Sequence, residues 1–258
     1  LERLFPVLNF VYFSPDEQLH AIQDYYAFFA HGDALMGRAI KSFKEYSAQQ
    51  GREWLIVFMV GDHSWHLGEQ GIEAKFGPRR QSNQGSVIVV SSDKEKYPPG
   101  TVYDGLVEYV DFVPTFYDAA NIPTSAHPGL DGFSLRQIAS GEAVQRDYVI
   151  GEFNQVRGER AYLRTKDFAL SMRARPYFTK PGEGYEPGER TMWGLEAPAE
   201  EVEMSLYDLR VDPDERVNVA YHGPYTELAA FFRDKLGRIV LGDGRVEVDW
   251  TQETNYHV

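Results

Sequence analysis

The sequence predicts an α/β fold: part of a central, mostly parallel sheet flanked by helices, followed by a small antiparallel sheet with a C-terminal helix. Three features predict it. An amphipathic stretch runs from Ser14 to about Tyr46, the apolar run Trp54 to Val60 lacks polar alternation, and short strand candidates crowd the chain beyond Ile122-Pro123. That change of character divides the chain into an α/β part, residues 1–145, and a small antiparallel subdomain, residues 146–258.

The first helix is announced by Ser14-Pro15-Asp16-Glu17, a capping hydroxyl before proline at the first helical position with a glutamate three residues after the serine. Leu19, Ile22, Tyr26, Phe29, Met36, Ile40 and Phe43 then recur at helical steps, giving an apolar face suited to packing on a sheet, with an adjustment expected near Gly32. After Gln50-Gly51, the strand Leu55 to Val60 is apolar on both faces, as in parallel sheets covered by helices, and Ser86 to Val90 is a second such run. Gly105 to Ala120 is helix-like, with Leu106, Val110, Val113 and Tyr117 on one side and Pro114 marking a kink or a first turn.

Strands are expected at Tyr148 to Phe153, Arg160 to Arg164, Phe168 to Met172 and within "SLYDL", residues 205–209. Residues 176–200, rich in proline, glycine and glutamate, read as an exposed loop, and Thr226 to Leu236 as a terminal amphipathic helix. Asp208 and Asp212 are expected to form turns.

Composition narrows the partners. Of the 258 residues 43% are hydrophobic, enough for a large core, and 26 lysines and arginines face 39 aspartates and glutamates, a formal net charge of −13. That balance disfavours a phosphate-backbone surface, so no nucleic acid is expected. No apolar run approaches the ~20 residues of a membrane span, so no membrane partner is expected. The absence of cysteine excludes disulfides, thiolate metal ligands and a cysteine nucleophile within this chain. The compartment stays open.

Function concentrates in "LIVFMVGDHSWHLGEQGIEAKFGPRR", residues 55–80, where an apolar strand ends in Gly61-Asp62-His63 and a lysine follows at Lys75. Strand ends of open sheets are where ligands sit. A carboxylate and a neutral imidazole are both metal-compatible, and Gly61 and Gly68 permit the sharp bends that would let neighbours converge on one ion. The alternative is a turn cap beside a hydrogen-bonded histidine, since two donors fall short of the six or more that calcium prefers. Lys75 likewise reads either as a solvated lysine or, beside a cation, as a group that binds a tetrahedral anion.

"GDHSWHLGEQGIEAK" resembles the second metal-binding segment of the sulfatase family within the alkaline-phosphatase-like superfamily: Ser-Asp-His/Asn-Gly, then Leu-Gly-Glu-His-Gly, then a lysine. The likeness is strongest to the iduronate-sulfatase and choline-sulfatase branch. Three more segments are similar to family signatures in the same order: "YYAFFAHGDALMGRAIKSF", "VEYVDFVPTFYDAANIPTSAHPGLDGFSLRQIASGE" and "SLYDLRVDPDERVNVA". The resemblance implies that Asp62 and His63 are ligands of a divalent cation, usually calcium, and that Lys75 contacts the sulfate. It places Trp65 and His66 at the pocket mouth, touching the organic part of the ester. Arg79 and Arg80 are further candidates there, with a solvated basic turn as the alternative.

Three positions depart from the family pattern: Gly61 stands for serine, Ser64 for glycine and Gln70 for histidine. Ser64 and Gln70, near the site, leave the substrate group open. The formylglycine nucleophile of the family arises from a Cys/Ser-x-Pro-x-Arg motif that "SPDEQ" does not match. The resemblance therefore implies the C-terminal portion of a sulfatase, acting on a sulfate-ester small molecule or sulfated glycan. Its partner would be an N-terminal half of the same enzyme, carrying the nucleophile. The alternatives are a phosphate or phosphonate ester hydrolase of the same superfamily, or a non-catalytic sulfatase-like module.

Overall fold

The computed structural model describes residues 13–75, 77–123, 125, 127, 129–143, 145–153, 160–174 and 189–241. Two compact units divide the chain, Leu1–Lys75 with Gln81–Thr101 and Phe76–Arg80 with Val102–Val258.

In the first unit, helix α1 (Pro15–Gln49) begins as expected. The Ser14 hydroxyl accepts from the Glu17 amide and the Glu17 carboxylate accepts from the Ser14 amide at 2.8 Å, a reciprocal cap. It runs past Gly32 as one helix and ends where Gly51 adopts φ +59. The Arg52 amide then donates to the Ser47 carbonyl and the Gly51 amide to Ala48, closing the last turn in a Schellman arrangement. The apolar face exists, but its expected cover does not lie among the described residues. Tyr46 is 59% exposed, Phe29 51% and Phe28 81%. Contacts at two points tie α1 to its own unit: Tyr25 stacks with Trp65 and Phe43 meets Trp54 edge-on.

Strands β1 (Leu55–Val60) and β4 (Ser86–Ser91) pair antiparallel, Leu55 opposite Ser91 and Val60 opposite Ser86. This corrects the expectation of a mostly parallel sheet. Missing alternation reports cover on two faces and says nothing of the neighbouring strand's direction. Between β1 and β4 lie only the two-residue strands β2 (His66–Leu67) and β3 (Glu73–Ala74), a 3-10 turn and the four-residue α2 (Arg80–Asn83). None of these is the long crossover helix that usually joins parallel neighbours.

The second unit follows the expectation for the tail closely. Strands β5 (Tyr148–Phe153), β6 (Arg160–Thr165), β7 (Phe168–Arg173) and β8 (Ser205–Asp208) form an antiparallel sheet in that order. Helix α6 (Tyr225–Leu241) lies against it, and Leu163, Phe168, Leu170, Met172, Leu206, Phe232 and Leu236 are buried between them. Residues 176–188 of the expected loop lie outside the described residues. From Glu189 the chain forms helix α5 (Glu189–Glu196), which the proline- and glycine-rich context concealed. A Cβ at Gly194 would meet the Arg173 carbonyl at 2.7 Å, so this helix approaches β7 backbone to backbone.

The stretch 105–120 is helical only from Tyr109, as a 3-10 turn leading into α3 (Phe112–Ala119). Leu106 instead bridges to Arg146. Pro114 falls in the first turn of α3, where its missing amide costs nothing. Asp111 accepts from the Phe133 amide at 2.9 Å, and Asp118 accepts from Ser134 and Arg136 just before and within α4 (Leu135–Ser140). Both aspartates of "VDFVPTFYD" are thus scaffolding.

Candidate functional site

Past Val60 the chain must turn at once. Gly61 takes φ +81, and a Cβ there would lie 2.8 Å from the His63 carbonyl oxygen, so both backbone conformation and space select glycine. Asp62 and His63 follow. The chain then forms the small hairpin β2–β3, in which His66 pairs with Ala74 and Leu67 with Glu73. Its tip is shaped by positive φ at Gly68, Gln70 and Gly71 and closed by the Gly68 amide donating to the Ile72 carbonyl. This register returns Lys75 to the position where the hairpin began.

The consequence is convergence. Lys75 Nζ lies 2.9 Å from His63 Nε2, and Asp62 Oδ1 lies 3.5 Å from the same nitrogen. His63 Nδ1 faces the Ser64 carbonyl at 3.0 Å, which can only accept, so the ring proton belongs on Nδ1 and the Nε2 lone pair accepts from Lys75. Ser64 is held in turn: its amide donates to Ser82 and its hydroxyl to the Gln84 carbonyl. The Asp62 side chain is 78% exposed and that of His63 30%, so one edge of the group is open.

A divalent ion finds here a carboxylate oxygen and an imidazole nitrogen, both of suitable chemistry and close enough to share it. They are part of a donor set. Among the described residues no group of three or more His, Asp or Glu is arranged to hold a metal.

The other expected site residues separate. Trp65 is half-buried against Tyr25, ring centroids 6.4 Å apart and planes 27° from parallel. His66 is fully buried.

Arg79 and Arg80 belong to the second unit, where Arg80 is exposed and Arg79 is half-buried. The Arg79 guanidinium donates to the Glu215 carbonyl and to the Tyr207 hydroxyl at 3.1 Å, and it stacks over the Tyr207 ring. The Arg80 amide donates to Glu215 Oε1 at 3.0 Å, and Arg164 pairs with the same oxygen at 2.8 Å. Glu215 is buried and sits at φ +55. Its place in "DPDER" was visible in the sequence, but its role as the anchor of this turn was not.

A second buried cluster also escaped the sequence. Arg146, its side chain wholly buried, pairs with Glu108 at 3.1 Å and with Asp111. Burial pushes the Glu108 carboxyl up, against the pull of the Arg146 charge.

No protein-family model matches the sequence, and no curated protein matches it significantly. Solved structures do match. BT4656, solved in complex with its substrate D-glucosamine-2-N,6-O-disulfate, is 20% identical over 82% of this chain and 39% of its own, with a TM-score of 0.58. The phosphonate monoester hydrolase of Agrobacterium radiobacter is 22% identical over 80% of this chain and 38% of its own, TM-score 0.55. BT1596, a 2-O GAG sulfatase, is 20% identical over 72% of this chain and 36% of its own, TM-score 0.51. The chain thus spans less than half the length of each structure. Over most of its own length, it has the fold of the corresponding part of sulfatases and of a phosphonate monoester hydrolase.

Proposed function

We propose that this chain is the C-terminal portion of a sulfatase that hydrolyses sulfate esters, most like the iduronate- and choline-sulfatase branch. The observation that carries the reading is the meeting of Asp62, His63 and Lys75 at the end of β1, in a fold shared with sulfatases. Lys75 binds a sulfate oxygen and opposes the charge that develops on the leaving oxygen as the ester breaks. Asp62 and His63 hold one side of a divalent cation, calcium by the resemblance. That ion would neutralise the sulfate's charge. Trp65, beside the group in sequence, contacts the organic part of the ester.

The remaining cation ligands and the formylglycine nucleophile come from an N-terminal part of the same enzyme. The short coverage of the neighbours' chains and the open apolar face of α1 both support a missing partner. The substrate is a sulfated small molecule or glycan; the complex of BT4656 with a disulfated glucosamine supports the glycan. A phosphonate or phosphate ester hydrolase is the second reading, kept by the Agrobacterium radiobacter neighbour.

The test is turnover of an aryl sulfate and of an aryl phosphonate monoester, with calcium present. The 258-residue chain alone should show none. In the enzyme completed by its N-terminal part, Lys75→Ala should lower sulfate-ester turnover by about two to three orders of magnitude, the scale for one preorganised electrostatic contact. Multiple turnovers by the chain alone would overturn the reading, and a preference for the phosphonate would select the second.

A further inference from the structure

Trp65 is fixed at its backbone by the turn and hairpin around it, and at its ring by a residue of α1. The Ser64 amide and hydroxyl are bonded to Ser82 and Gln84, and His66 pairs with Ala74, so the chain is held on either side of Trp65. The indole then meets Tyr25, ring centroids 6.4 Å apart and planes 27° from parallel. Phe29, one turn further along α1, stacks on Tyr25 in the same sense, at 6.3 Å and 22°. Among Tyr25, Tyr26, Phe28 and Phe29, Tyr25 is half-buried while the other three are exposed.

We propose that Tyr25 is a positioning residue for Trp65: it holds the indole as a flat, one-sided platform, which selects esters of a sugar or aryl ring over esters of a quaternary ammonium alcohol.

The mutual orientation of the rings gives the reason. Aromatic sites for quaternary ammonium ions surround the charge with several ring faces. Here successive rings are near-parallel, so Tyr25 turns its face to Trp65 and leaves the indole to meet a ligand on one side. One face of a pyranose is a flat array of C–H bonds, and laying it on an indole removes apolar area of both from water. An indole already held in place spares the ligand the cost of ordering it. Tyr25 makes no contact with the bond that breaks, so its loss should fall on KM and leave kcat nearly as it was.

This inference rests on the proposed reading of Trp65 as the contact for the organic part of the ester. Its first measurement involves no ligand. The 258-residue chain is labelled with 5-fluorotryptophan, and the fluorine lines of Trp65 and Trp54, two of its four tryptophans, are assigned with Trp65→Phe and Trp54→Phe. Tyr25→Ala should move the Trp65 line, and Tyr25→Phe should leave it where the parent has it. Tyr25→Leu, which keeps an apolar side chain on the helix, should act like Tyr25→Ala. The Trp54 line should stay in all three, since Trp54 meets α1 through Phe43 and reports that the helix is in place.

The second measurement uses the enzyme completed by its N-terminal part. Tyr25→Ala should raise KM for an aryl sulfate, and the Kd of D-glucosamine-2-N,6-O-disulfate, by about three- to tenfold, the worth of one aromatic pair. The kcat should stay within about twofold. In the parent, the sugar disulfate should move the Trp65 line and choline sulfate should not.

An unmoved Trp65 line in both Tyr25→Ala and Tyr25→Leu would overturn the proposal, as would a loss confined to kcat or a Trp65 line that answers to choline sulfate and not to the sugar. If the sugar disulfate moves the Trp65 line but no sulfate ester is hydrolysed, the sulfatase reading falls and the platform stands.

Discussion

Asp208 gathers donors from three directions onto one carboxylate: the Arg210 guanidinium at 2.7 and 2.8 Å, the Tyr225 hydroxyl at 2.8 Å and the Arg210 amide at 3.1 Å. These hold its carboxyl down at about 2, the Arg210 hydrogen bonds foremost, against an ordinary value of 3.8. The native value lies below the unfolded one, so the contribution is fully present above about pH 4 and is lost as pH falls toward 2. It is worth about 2 kcal/mol at most. Asp208→Asn should therefore cost stability at pH 6 but little at pH 2.5, read as urea midpoints; an equal loss at both pH values would refute the ion-pair account. Asp212, accepting from the Arg216 and Val217 amides, is likewise a turn-former. Such local carboxylates were legible because all their partners except Tyr225 lie two to five positions away. Asp62, His63 and Lys75 were legible for a related reason, since one hairpin contains them all. Glu215 was not, because its bond to the Arg80 amide spans 135 positions and leaves no local pattern.

At the level of elements, periodicity and caps carried far. The capping box of α1, its stop at Gly51, the four strands of the tail and helix α6 all lie within a few residues of their expected bounds. Strand direction was the failure, because an apolar run is compatible with a parallel or an antiparallel neighbour. Helix α5 failed differently: eight residues behind a proline- and glycine-rich stretch are too few to display a period. The stable element pair should be α6 with the tail sheet, where Phe232 is fully buried and its ring centroid is 5.9 Å from that of Phe168. Phe232→Ala should cost about 3–5 kcal/mol, transfer plus cavity. Phe28, 81% exposed on α1, offers the contrast. Phe28→Ala should change stability by no more than about 0.5 kcal/mol. Urea unfolding followed by circular dichroism compares the two, and similar losses would show that α1 is covered after all.

The whole chain pairs a dense core in one unit with an open helix in the other. Helix α1 is 35 residues long and well capped, yet the only buried residue on it is Ser47. Most helical stability in proteins comes from packing of an apolar face rather than from propensity, and Leu19, Tyr26, Phe29 and Phe43 of that face stand exposed. Local opening should therefore be cheap along α1 and expensive in the tail sheet, where every residue of β7 is buried. In hydrogen exchange of the 258-residue chain, amides between residues 20 and 40 should exchange at least about a hundredfold faster than those of β6 and β7, a difference of about 2.7 kcal/mol in opening free energy. Addition of the proposed N-terminal part should slow exchange on α1 selectively and leave β7 as it was. If α1 is already as protected as β7 in the chain alone, its apolar face is satisfied without another polypeptide segment. The open helix would then no longer support the proposal that a separate part of the enzyme completes this one.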